Sequence, residues 1–265
     1  MPEGDTVFQA AGRLRQALAG RVLTRTDFRV PQHATVDLSG RTVSGVVSRG
    51  KHLLIRVDPD VTIHTHFRMD GSWRTFRAEQ RWQGGPQWQV RIVLSNAEFD
   101  AVGYRIPVID VLRRTVEDEV VGHLGPDLLG PDWDAQEAVR RLAEQADRAI
   151  GEALLDQRNL AGIGNLYKTE LCFLRGVSPW TPVRDAGDLR DWVDLAHRLL
   201  VANVGGQAQT TTGDTRPARR TWVYGRHACL RCGGPVQRGE QGTAPWERVS
   251  YWCPHCQPGP SPDQW

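Results

Sequence analysis

Lysine is almost missing from this chain: it occurs only at Lys51 and Lys168, and the remainder of the 33 basic residues are arginine. The formal net charge is only +2 and no basic tail is present. That excludes broad polyelectrolyte binding, so any nucleic-acid surface must be local. No apolar run approaches the roughly 20 residues a bilayer crossing needs, and residues 1 to 20 are amphipathic rather than signal-like. A cytoplasmic, nucleoid-associated protein is the expectation. Cysteine is scarce, with five in 265 residues, and in a reducing compartment a disulfide framework is excluded. Four of the five fall into two Cys-x-x-Cys pairs.

What is present divides the chain into stretches of different character. Apolar residues recur at helical spacing from Val7 through Ala10, Ala11, Leu14, Ala17 and Leu18, and Gly20 ends the pattern. From residue 21 to about 112, short alternating runs such as Arg41 to Val47, Lys51 to Val57, Val61 to Phe67 and Trp88 to Leu94 are separated by Gly, Pro and Asp turns. This predicts an antiparallel sandwich or barrel. A Pro/Gly/Asp-rich linker follows, and then helical patterns, the first opening on Asp134 and Glu137 at capping-box spacing. Asn159 to Gly164 reads as tight turns before a helix from Asn165 to about Gly176, and a last helix spans Leu189 to Val204. Glycines just before a helix start let backbone N–H groups face a phosphate, although a plain helix–helix connection explains them equally well. Residues 205 to 220, rich in Gly, Thr and Gln with three arginines, read as a mobile loop that could add phosphate contacts.

Two features carry chemistry. Cys229, Cys232, Cys253 and Cys256, with 20 residues between the pairs, have the spacing of a tetrahedral thiolate site for one structural zinc ion in a two-stranded ribbon. His227 and His255 then belong to the surface, and Cys172, in a helical pattern, is a buried thiol. The opening Met1-Pro2-Glu3-Gly4-Asp5 is the second. Removal of Met1 would leave a secondary amine beside a carboxylate. An α-amino group titrates roughly two units below a lysine, so about a few hundred-fold more of it is neutral and nucleophilic at pH 7.

In order and spacing, MPEGDT, SRGKHLLI, HFRMDG, LGPDLL, LLDQRNLAGIGNLYKTEL, YGRHACLRCGGPV and RVSYWCPHCQ resemble the formamidopyrimidine-DNA glycosylase and endonuclease VIII family, over nearly the whole chain and closest to the endonuclease VIII branch. The resemblance implies a multi-domain α+β fold: a catalytic domain of an N-terminal helix plus an antiparallel β-sandwich at 1–115, a linker at 116–133, a helix-two-turns-helix domain at 134–220, a zinc ribbon at 221–257 and a tail at 258–265. It implies a base excision repair enzyme, a DNA glycosylase with AP lyase activity. Its partner would be double-stranded DNA containing damaged bases or abasic sites, and it would act as a monomer. Pro2 would form a Schiff base with the damaged nucleotide, Glu3 would serve as the acid, Lys51 would support β-elimination and Arg248 would support δ-elimination. Arg68, Met69, His123, Gly164 and Asn165 would contact DNA, Met69 filling the gap left by the flipped nucleotide.

The chain also departs from the family pattern. Thr6 replaces a second acidic residue, Arg68 and Asp70 replace the companions of the wedge, and no arginine-phenylalanine base reader is recognisable between Ala97 and Tyr104. Oxidised pyrimidines are the expected substrates. The alternatives are oxidised purines, a non-catalytic damaged-DNA binder, which has no need of an imine former, or a zinc-ribbon RNA-associated protein, which leaves the opening residues unexplained.

Overall fold

A computed structural model describes residues 2–206, 208–243 and 247–262. Met1, Gln207 in the 205–220 loop, Ala244 to Trp246 in the ribbon turn and residues 263–265 of the tail lie outside the described residues. The chain divides into two compact units, Met1–His123 and Leu124–Trp265.

The first unit opens with helix α1 (Gly4–Leu18), whose buried Val7, Ala10, Ala11, Leu14, Ala17 and Leu18 form one continuous face. Eight strands follow: β1 (Arg25–Phe28), β2 (Val43–Arg49), β3 (His52–Val57), β4 (Val61–His66), β5 (Ser72–Arg77), β6 (Val90–Ser95), β7 (Phe99–Tyr104) and β8 (Val108–Arg113). They make two antiparallel four-stranded sheets, ordered β1-β6-β7-β5 and β2-β3-β4-β8. Apolar residues of both sheets (Leu53, Ile55, Ile63, Ile92, Leu94 and Trp73 among them) share one core with the buried face of α1. The expected sandwich is therefore present, with the helix that carries the N-terminus built into its core.

The stretch read as a linker is structured at its start. A 3-10 turn (Arg114–Val116) leads into the short helix α2 (Glu117–Val121). Glu117, 8% exposed, accepts from Arg56 Nη2 at 2.7 Å and from the Thr62 hydroxyl, which moors α2 to β3 and β4. A Pro/Gly/Asp composition signals turns, but not the long-range ion pair that holds them.

In the second unit, α3 (Ala135–Ala143) starts where the capping signal places it: Asp134 accepts from the backbone N–H of Gln136 and Glu137. Helices α4 (Ile150–Leu155), α5 (Asn165–Arg175) and α6 (Leu189–Asn203) enclose a second core around Leu154, Tyr167, Leu171, Trp192 and Leu200. Gly176, at φ +70°, ends α5 in the left-handed conformation that glycine adopts without strain. Strands β9 (Gln237–Gln241) and β10 (Arg248–Trp252) form the antiparallel ribbon.

The loop from 205 to 220 is not the free segment its composition suggests. Asn203 bonds both the N–H and the carbonyl of Thr210, and the Thr211 hydroxyl donates to Glu170 of α5. The same buried carboxylate accepts the successive N–H groups of Trp222, Val223 and Tyr224 at 2.7–2.9 Å. Its arginines are engaged as well: Arg216 and Arg219 both pair with Asp214, and Arg220 donates to the Thr215 carbonyl. The Arg216 bonds, with Arg219 beside them, hold the Asp214 carboxyl well below the usual carboxylate range. One carboxylate shared by two arginines offsets part of the loop's positive charge and fixes where those side chains sit.

Candidate active site and nucleic-acid interface

In the first unit, Pro2 is half-buried and Glu3, at the N-cap position of α1, is fully buried. The Glu3 carbonyl accepts the first helical bond, from Val7 N at 3.1 Å. Because α1 is locked into the sandwich core, the amine-bearing residue and the carboxylate sit on a rigid mount, at the helix end where the backbone dipole favours negative charge.

Lys51 lies at the tip of the β2–β3 hairpin. Arg49 and His52 are paired across a two-residue turn whose first member, Gly50, has φ +55°. Around it gather histidines that the sequence reading did not connect with Lys51. The His52 ring stacks on His64 at 5.1 Å and meets His66 edge-on at 4.9 Å and His123 edge-on at 6.4 Å. Burial, then His66, His64, His123 and Lys51, push His52 down to about 3. Burial, then Arg68, Lys51 and His64, push His66 down to about 4. At neutral pH these two rings are uncharged, and Lys51 and Arg68 are among the neighbours that oppose their protonation.

Met69 is exposed at the tip of the turn after β4, not in the core. Phe67, 2% exposed, anchors that turn, and Gly71 N returns to the Phe67 carbonyl at 2.9 Å. A side chain at Gly71 would strike the same carbonyl at 2.7 Å. Arg68 has φ +49°, a left-handed conformation uncommon outside glycine, and its N–H donates to His66 Nδ1 at 3.1 Å. An exposed apolar tip on an anchored turn is suited to wedge insertion.

In the second unit, the two turns before α5 are stitched by Gln157, which donates to the carbonyls of Leu155 and Ile163 and accepts from Gly162 N. Gly162 stands at φ +114°, where only glycine is comfortable. Gly164 caps α5 with extended backbone and Asn165 begins it. Asn165 Nδ2 donates to the Val249 carbonyl at 2.8 Å, so one of its two amide hydrogens is spent on β10, and its Oδ1 is buried without a partner. Arg248, exposed at the start of β10, is thereby one residue from the strand position that holds Asn165. A buried chain reinforces this register: Lys168 of α5 donates to Ser250 Oγ, Ser250 donates to Gln241 Oε1 at 2.8 Å, and Gln241 Nε2 donates to the Pro179 carbonyl at 2.7 Å.

The sulfurs of Cys229, Cys232, Cys253 and Cys256 all lie within 4.8 Å of one another, and the pairs 229/256 and 232/253 are 3.9 and 3.5 Å apart. A disulfide needs about 2.0 Å, whereas four thiolates about 2.3 Å from a central ion stand roughly 3.8 Å apart. The four cysteines fit a metal ion. His227 and His255 are exposed, and Cys172 is fully buried, with its thiol pushed up to about 12 by burial. No helix among the described residues is long and apolar enough to cross a membrane.

The comparisons with known proteins agree with this geometry. The family model for the formamidopyrimidine-DNA glycosylase N-terminal domain matches residues 1–107, and that for the formamidopyrimidine-DNA glycosylase H2TH domain matches residues 124–198. The chain is 58% identical to a probable endonuclease 8 2 of Streptomyces coelicolor, over 99% of this chain and 96% of that protein. It is 48% identical to the DNA-(apurinic or apyrimidinic site) lyase Nei2 of Mycolicibacterium smegmatis, over 97% of this chain and 99% of that protein. In fold it is similar to a Lactococcus lactis formamidopyrimidine DNA glycosylase bound to abasic-site DNA, with TM-score 0.75 and 20% identity over 97% of this chain and 100% of that one. Two domain models that together span more than half of the chain, and relatives aligned end to end, place it in one family: the chain belongs to the formamidopyrimidine-DNA glycosylase and endonuclease VIII family.

Proposed function

We propose that this protein is a base excision repair DNA glycosylase and AP lyase that works through the amine of Pro2. The carrying observation is the N-terminal pair: Pro2 adjoins the fully buried Glu3 on a helix that is part of the sandwich core. After removal of Met1, the Pro2 nitrogen attacks the anomeric carbon of the damaged nucleotide. Glu3 supplies a proton as the ring opens and the base leaves. The resulting iminium acidifies the adjacent C–H, whose proton is abstracted as the 3′ C–O bond breaks with phosphate as the leaving group. A second elimination breaks the 5′ C–O bond, and water then hydrolyses the imine and frees Pro2. Lys51 neutralises a phosphate beside the lesion during the first elimination. Arg248 and Asn165, with Gly164, hold phosphate on the second unit. Met69, with Arg68 and His123, contacts DNA at the emptied position.

Zinc is the metal that the four cysteines would hold. It would be structural, since four thiolates leave no position for water. Within the second unit we divide the helix-two-turns-helix segment at 134–220 from the ribbon at 221–257, and we place the protein with the nucleoid in the cytoplasm. Oxidised pyrimidines are the proposed lesions: saturated rings are non-planar, stack poorly and cost less to extrude, and β7 and the turn before it offer no arginine-phenylalanine reader.

Borohydride added to the protein on an abasic duplex should trap an adduct whose linked peptide begins at Pro2, and Pro2→Gly should lose most base release and nicking. A trapped peptide from elsewhere in the chain would refute the assignment.

A further inference from the structure

Beside Lys51 runs a hydrogen-bonded chain across one face of a single sheet. In the β-ladder, His64 on β4 is directly opposite Asp110 on β8, and His52 on β3 is directly opposite His66. His64 Nδ1 lies 3.0 Å from Asp110 Oδ2, and His52 Nδ1 lies 2.9 Å from His64 Nε2. The chain has a direction. An ionised carboxylate can only accept, so His64 Nδ1–H donates to Asp110. With a single ring hydrogen on His64, which belongs to the proposal made below, its Nε2 carries a lone pair and His52 Nδ1–H is the donor to it. A neutral His52 is left with a bare Nε2 at the hairpin end of the chain. His66 has the opposite polarity: its Nδ1 accepts from Arg68 N–H at 3.1 Å, which leaves its hydrogen on Nε2.

A bare ring nitrogen repels a phosphate oxygen and attracts a cation or an N–H group. Lys51 is the adjoining residue, and its charge acts on both His52 and His66. We propose that Asp110 and His64 are positioning residues for the Lys51 end of the active site: they hold His52 in the tautomer whose bare Nε2 accepts from the Lys51 ammonium and so aims it. The 3% exposure of the His64 side chain protects the middle of the chain from water, and the half-exposed Asp110 closes its far end. This rests on the reading of Lys51 as the cation that supports β-elimination.

Nitrogen-15 spectra of the histidines in the intact protein at pH 7 test the direction without any variant. His52 and His64 should both be Nδ1–H tautomers and His66 the Nε2–H tautomer. A His52 carrying its hydrogen on Nε2, or a His64 imidazolium, would overturn the proposal. Asp110→Asn supplies an amide that can donate to His64 Nδ1 and lets the chain reverse. Nε2–H should then appear on His52, and single-turnover nicking of an abasic duplex should slow by about tenfold or more, as for other misplaced catalytic groups. Asp110→Glu should recover most of the rate. A reversed tautomer with wild-type nicking by Asp110→Asn, alongside slow nicking by Lys51→Ala, would remove the positioning role alone. Wild-type nicking by Lys51→Ala would instead remove the reading of Lys51 on which it stands.

Discussion

At the scale of single residues, Glu117 shows how one carboxylate converts composition into structure. Burial alone would raise its pKa, but hydrogen bonds from Arg56 and Thr62 outweigh burial and leave it lowered. A lowered folded-state pKa means that the stabilisation is complete above the ordinary glutamate pKa, about 4.3, and is lost as the pH falls through the folded value. Glu117→Gln should therefore cost about 1–3 kcal/mol at pH 7, the usual range for a hydrogen-bonded charged group. The gap between variant and wild type should close below pH 4. Denaturant unfolding at pH 7 and pH 3 checks both statements, and a gap that widens on acidification would contradict the assigned sign.

Among elements, the ribbon and α5 depend on each other. Too small for a core of its own, the ribbon has Cys229 and Cys253 packed with Phe173 of α5 and Val223, and metal ligation should supply much of its folding free energy. Cys229→Ser, or zinc removal by a chelator, should weaken binding to an abasic-site duplex as much as Arg248→Ala does, because Arg248 opens the strand that the metal organises. Normal binding by Cys229→Ser would mean that the ribbon does not hold the DNA. The elements themselves were largely legible in the sequence: the Asp134 cap, Gly176 and the two Cys pairs are local signals that the structure honours. Contacts between distant elements were not. Three of the eight histidines, His52, His64 and His66, lie within 15 residues, a density worth noticing. Only the strand register turns that density into a chain ending on Asp110. The bond from Asn165 to Val249 spans 84 positions, beyond any periodicity.

For the whole molecule, the salt dependence of DNA binding should be shallower than an arginine count implies. With Arg216 and Arg219 held on one carboxylate, Asp214, within their own loop, the cations we assign to phosphate are Lys51 in one unit and Arg248 in the other. Two charge-neutralising contacts give a log-log slope of about −1.8, and Lys51→Ala or Arg248→Ala should each flatten it by about 0.9. Asn165→Ala should lower affinity with the slope unchanged, since an amide displaces no counterion. A slope near −4 in fluorescence titrations would return the loop arginines to the interface.

The chain Lys168–Ser250–Gln241–Pro179 also bears on how this family can be recombined. Its two halves come from different segments: Ser250 and Gln241 from the ribbon, Lys168 from α5 and Pro179 from the turn that follows it. A chimaera that takes its finger from a relative with an apolar residue at the position of Ser250 would take one polar partner from the fully buried Lys168, a cost of about 1–3 kcal/mol. The exchangeable unit is therefore the finger together with position 168, and grafts that respect the four cysteines but ignore that lysine should express poorly.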